Sequence, residues 1–124
     1  MSLADRNIAH MAAGFLLMGS WAAFANRAHP MPAPLLAGAV QGTLTAIITL
    51  GLKRMVEALA ARLSGIAALA LPTAAACAAS ATILATVHTL AGTPEVLATL
   101  AVPTTVATLY AALWAWRLQE KAHG

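Results

Sequence analysis

Charge is what this sequence has least of. Only 9% of its 124 residues are Asp, Glu, Lys or Arg, against roughly 25% in an ordinary soluble domain. Carboxylates are fewest: Asp5, Glu57, Glu95 and Glu120 are all there are, and no two of them share a helix face, so paired acid–base chemistry has no basis. HExxH, GxSxG and a glycine-rich phosphate loop are absent as well. No enzymatic activity and no cofactor are expected. Cysteine occurs once. Cys77 alone can build neither an internal disulfide nor a thiolate metal site, and its alanine-rich surroundings make it a small packing residue. The histidines lack a third placed ligand, so no metal is expected. The net charge of +3 is modest and its basic residues flank apolar runs, which reads as orientation and lipid headgroup contact rather than a nucleic-acid footprint.

What is there is apolar surface. Hydrophobic residues make up 60% of the chain, in four runs near the roughly 20 residues that a bilayer span requires. Four spans with short connections use nearly the whole chain, so the expected fold is all-α: an integral membrane four-helix bundle in a single domain. Helix one is expected over about residues 8–25, behind a Ser2/Asp5 capping box. Ala23-Phe24-Ala25 resembles a signal-peptidase site, but the amino-terminal region offers only Arg6, offset by Asp5, and its apolar run exceeds a leader's about 7–15 residues. The segment is expected to remain as a helix. Helix two covers about 34–52, with Pro34 in its first turn. An amphipathic extension to residue 63 follows, with Met55, Val56, Leu59 and Leu63 on one side, expected to rest at the bilayer surface. Helix three covers about 65–90 and carries Pro72 and a stripe of small residues at Ala74, Ala78, Ala81 and Ala85. Helix four covers about 94–116, with Thr93 as its cap, Pro94 and Glu95 in its first turn, and Pro103 inside.

Arg6, Lys53, Arg54, Arg62, Arg117 and Lys121 fall on one side of this arrangement and Arg27 on the other. The positive-inside rule then puts both termini in the cytoplasm of a multi-pass protein of the cell (inner) membrane. The two hairpins share a loose plan of outer histidine, proline and Thr-bearing helix, which similar membrane hairpins explain without a true repeat.

Two groups of residues stand out. Gly38-x-x-x-Gly42, with Gln41 between and Thr45 one turn on, is a small-xxx-small face that lets helix backbones approach closely, with Gln41 able to hydrogen-bond across the contact. Such a face packs either within the chain, against the alanine stripe of helix three, or between chains. The second group lies at the outer ends of the helices: Asn26, Arg27, His29, His88 and Glu95. It forms either a vestibule for a small polar solute or lipid headgroup, or an Arg27–Glu95 pair with capping groups that satisfy loop backbone.

Two functions follow. The first is a non-enzymatic accessory subunit or assembly factor that docks in the lipid bilayer through small-residue faces, with a membrane protein partner or as a homo-oligomer. The alternative is a small oligomeric channel or carrier for a polar solute or lipid. The helix interiors hold amides, hydroxyls and a thiol but no charge, which weighs against an ion-coupled carrier.

Overall fold

A computed structural model describes residues 1–124 as four helices and no strand: α1 (Leu3–Ala25), α2 (Ala33–Ala60), α3 (Ala67–Leu90) and α4 (Val96–His123). All four are long and apolar enough to cross a membrane, the pattern of a multi-pass membrane protein.

The ends follow local chemistry. At the start of α1, Ser2 Oγ accepts the Asp5 N–H at 3.1 Å and Asp5 Oδ2 accepts the Ser2 N–H at 3.0 Å, a reciprocal capping box. Pro34 lies in the first turn of α2, where no intrahelical N–H is needed. Helix α3 ends on Gly92 at φ 74°: Thr93 N–H reaches back to His88 O at 2.9 Å and Gly92 N–H to Thr89 O at 3.1 Å. This Schellman closure needs a left-handed residue, which glycine supplies without a Cβ clash. Thr93 therefore does not cap α4 as expected. Glu95 is the N-cap residue, and the Thr93 side chain turns to His88 instead.

Helix α2 continues through the expected amphipathic extension as far as Ala60, and the apolar side of that extension packs inside the bundle. Leu52 and Val56, one turn apart, are buried with Ala76 of α3 and Ala111 and Ala115 of α4. The three alanines leave room for the larger side chains, but Ala76 is not part of the expected stripe: Ala74 and Ala78 are exposed and Ala81 and Ala85 half-buried, so that stripe does not form the inward face of α3.

That core joins α2, α3 and α4 at the end of the molecule that carries both chain termini. Helix α1 takes no part in it and does not touch α3. Its only buried residues, Gly19 and Ala22, lie near its other end, where the two hairpin connections meet. There α1 packs on α2 through glycines and on α4 through polar groups. Toward the termini it meets α4 again at the His10 and Tyr110 rings, whose centroids lie 6.3 Å apart.

Gly51 is free of this packing, with nothing within 4 Å of where a Cβ would stand. Gly51→Ala is expected to stabilise the protein by about 0.5–1 kcal/mol through helix propensity alone. Thermal unfolding in detergent measures it, and a lowered Tm would contradict the open environment.

Candidate functional site

At the hairpin end, polar groups from all four helices form two crossed clasps. In one, Asn26 at the end of α1 is fully buried. Its Nδ2 donates to Ala22 O at 2.8 Å and Thr99 Oγ1 at 2.7 Å, and its Oδ1 accepts the Glu95 N–H at 2.9 Å. Thr99 Oγ1 in turn donates to Glu95 O at 2.6 Å. The first hairpin is thereby tied to α4. In the other, fully buried His88 of α3 bridges Gln41 of α2 and the connection before α4. An amide oxygen only accepts, so His88 Nε2–H donates to Gln41 Oε1 at 2.9 Å and Nδ1 accepts the Thr93 hydroxyl at 2.8 Å. Gln41 Nε2 spends its own donor on Thr45 Oγ1 at 3.0 Å. A neutral imidazole satisfies every group in this chain.

The five outer residues singled out in the sequence are therefore not one open vestibule. Asn26 and His88 are interior, in separate clasps. His29 and Glu95 meet at the surface, Nε2 to Oε1 at 2.9 Å. Arg27 does not pair with Glu95. Its guanidinium donates to Phe24 O at 2.9 Å and lies 3.9 Å from the Phe24 ring centroid. Arg27 follows Phe24 by three residues, so its side chain folds back over α1, while the turn carries His29 toward α4.

The Gly38/Gly42 face also meets a different partner from the expected alanine stripe. Gly19 of α1 stands opposite Gly38 so closely that a Cβ on Gly19 would lie 2.9 Å from Gly38 O, and one on Gly38 3.0 Å from Gly19 O. Gly42 accepts the Phe15 ring. Two missing side chains at one height permit a nearer approach than alanines do. The α1–α4 contact missed in the sequence is Trp21, whose indole N–H donates to Ala98 O at 3.0 Å and Thr99 O at 3.2 Å. Its place near the end of an apolar run is the signal that marks such an anchor.

Below the clasps, between the Trp21 anchor and the His10–Tyr110 ring pair, α1 and α4 leave a cavity of about 360 Å³. Its walls are apolar, with Leu17, Leu84 and Val106 among them, and its polar lining includes Gln41, Thr45 and Ser80. Ser80 is 1% exposed and its hydroxyl has no hydrogen-bond partner. A helical serine ordinarily returns that hydroxyl to the carbonyl four residues back. His10, Thr49 and Tyr110 line both this cavity and a second space nearer the termini, whose rim includes Arg6, Asn7 and Lys53. The two spaces adjoin at these residues, where the His10 and Tyr110 rings stand 6.3 Å apart between centroids.

No family model matches the chain, and no curated protein or solved structure matches it.

Proposed function

We propose that this chain is a non-enzymatic membrane carrier that takes up a small lipid-like molecule between α1 and α4. The observation that carries the reading is the one-sided cavity. A mostly apolar chamber of about 360 Å³ falls within the about 300–1,000 Å³ of ordinary ligand sites. Clasps close one end, and at the other His10, Thr49 and Tyr110 divide the chamber from a second, more polar space. The unpartnered Ser80 hydroxyl supports an occupant with a hydrogen-bonding atom, because an unmet buried hydroxyl costs about 1–3 kcal/mol. With the termini cytoplasmic, as the basic residues favour, that second space faces the cytoplasm of an inner-membrane protein.

The accessory-subunit reading drew on a small-residue face left over for another molecule. That face is occupied within the chain by α1, so the carrier is the better supported of the two.

Ala13 lines the cavity from the exposed side of α1, so a large residue there fills the space without entering the packed core. In wild type, native mass spectrometry of protein released from micelles is expected to show one lipid-like adduct per chain. Ala13→Trp is expected to reduce its occupancy at least tenfold with Tm unchanged. Equal adducts on both proteins would overturn the reading.

A further inference from the structure

The space nearer the termini, the mouth of the site in this reading, has a sign. Arg6 of α1 and Lys53 of α2 both line it, together with the polar side chains of Asn7, His10, Thr49 and Tyr110, and no carboxylate lines it. Neither cation is neutralised elsewhere: the only ion pair in the molecule is His29–Glu95, at the opposite end. Asp5, beside Arg6, accepts from the Ser2 backbone and hydroxyl in the capping box, and Glu57, one turn beyond Lys53 on α2, lies outside the lining and makes no ion pair with it. Lys53 Nζ lies 5.4 Å from the Trp114 ring centroid, and Lys121 Nζ lies 5.7 Å from the same ring, so a third cation adds to the positive field nearby. Beyond His10, Thr49 and Tyr110, which line both spaces, the lining turns mostly apolar. Positive and hydrogen-bonding at the entrance, apolar beyond it: that sequence of surfaces matches a molecule with an anionic head and a hydrocarbon tail. The chamber is at the small end of the ligand-site range, which suits one chain rather than the two of a phospholipid.

Resting on the carrier reading, we propose that the occupant is a single-chain anionic amphiphile of the fatty-carboxylate type. Its head sits between Arg6 and Lys53, and its tail lies between α1 and α4. Arg6 offers a planar fork suited to a carboxylate, and Lys53 a point charge. Both are exposed at the rim, so the head remains partly hydrated and avoids the cost of burying a charge.

The test measures binding of dodecanoate and dodecanol, of equal chain length, by native mass spectrometry of the full chain over a concentration series. Wild type is expected to take up one dodecanoate per chain, at least tenfold more tightly than dodecanol. The exposed double variant Arg6→Gln/Lys53→Gln is expected to lose that tenfold preference while its dodecanol affinity stays as it was. The charge-keeping exchange Arg6→Lys/Lys53→Arg is expected to retain most of it. Absence of dodecanoate binding, equal affinity for the two ligands in wild type, or a preference that survives the double Gln variant would each overturn the proposal. Ala13→Trp separates the two levels. If it abolishes binding of both ligands while the Gln variant changes nothing, the cavity reading stands and the anionic head falls. If it leaves both unaffected, the carrier reading falls too.

Discussion

Gly38→Leu is expected to separate α1 from α2 and to cost about 3 kcal/mol or more, the upper end of the range for overpacking. The reason is what the new side chain meets. At Gly38 even a Cβ would stand 3.0 Å from the Gly19 carbonyl oxygen, and the reciprocal position at Gly19 is tighter, 2.9 Å from the Gly38 oxygen. Both obstacles are backbone, so relief requires moving a whole helix rather than turning a rotamer. Gly42 provides the contrast. Its obstacle is the Phe15 ring at 2.9 Å, a side chain 38% exposed that can swing toward lipid. The expected order of melting temperatures is therefore Gly51→Ala at or above wild type, Gly42→Ala lower, and Gly19→Leu and Gly38→Leu lowest. Because both glycine partners belong to one chain, the losses should not depend on protein concentration in the micelle. A Gly38→Leu protein that melts like wild type would remove the close approach, and with it the reason for α1's position.

The helices were legible because lipid imposes a length on each apolar run, and the capping box at Ser2 and Asp5 is a local signal needing no tertiary context. The outer polar residues were legible as neighbours, since antiparallel helices bring Asn26, His88 and Glu95 to one end. Their partners were not. Whether Glu95 takes Arg27 or His29 depends on which side of a short turn each side chain leaves from, and a difference of two residues reverses that. The glycine face was recognised, but its partner requires knowing that Gly19 and Gly38 fall at one height, a matter of helix register rather than composition. The alanine stripe of α3 looked as suitable because every position in it is small, yet each keeps its Cβ. The last turns of α2 read as a surface segment because Lys53, Arg54, Glu57 and Arg62 accompany Met55 and Val56. Only the alanines of α3 and α4 at the same level make Leu52 and Val56 interior. The cavity left no sequence signal because it depends on how α1 and α4 sit between Trp21 and the His10–Tyr110 pair, which no local pattern records.

Gln41→Leu and His88→Leu are each expected to cost about 2 kcal/mol, and the double variant distinctly less than their sum. Gln41 is the last residue of the second clasp and also lines the top of the cavity, so it separates the closed end from the chamber below. Replacing it with leucine leaves the His88 Nε2–H without an acceptor in a fully buried position. An orphaned buried donor of this kind costs about 1–3 kcal/mol. Thr45 fares better, because a helical threonine can return its hydroxyl to the carbonyl four residues back, as Thr49 already does with Thr45 O at 2.7 Å. His88→Leu instead strands Gln41 Oε1, while Thr93, at the margin of the bundle and 9% exposed, can turn toward water. With both residues leucine, no imidazole or amide remains unpaired, and the contact becomes one of apolar packing between α2 and α3. The coupling energy in this double-mutant cycle should therefore be about 1 kcal/mol or more, in the range for residues that share one network, and at the upper part of what interhelical hydrogen bonds give in membranes, about 0.6 on average and 1.7 at most. Strict additivity of the two single losses would mean that the His88–Gln41 bond does not hold the hairpin end shut, leaving that role to Asn26 and its three hydrogen bonds to α1, α4 and the connection before α4.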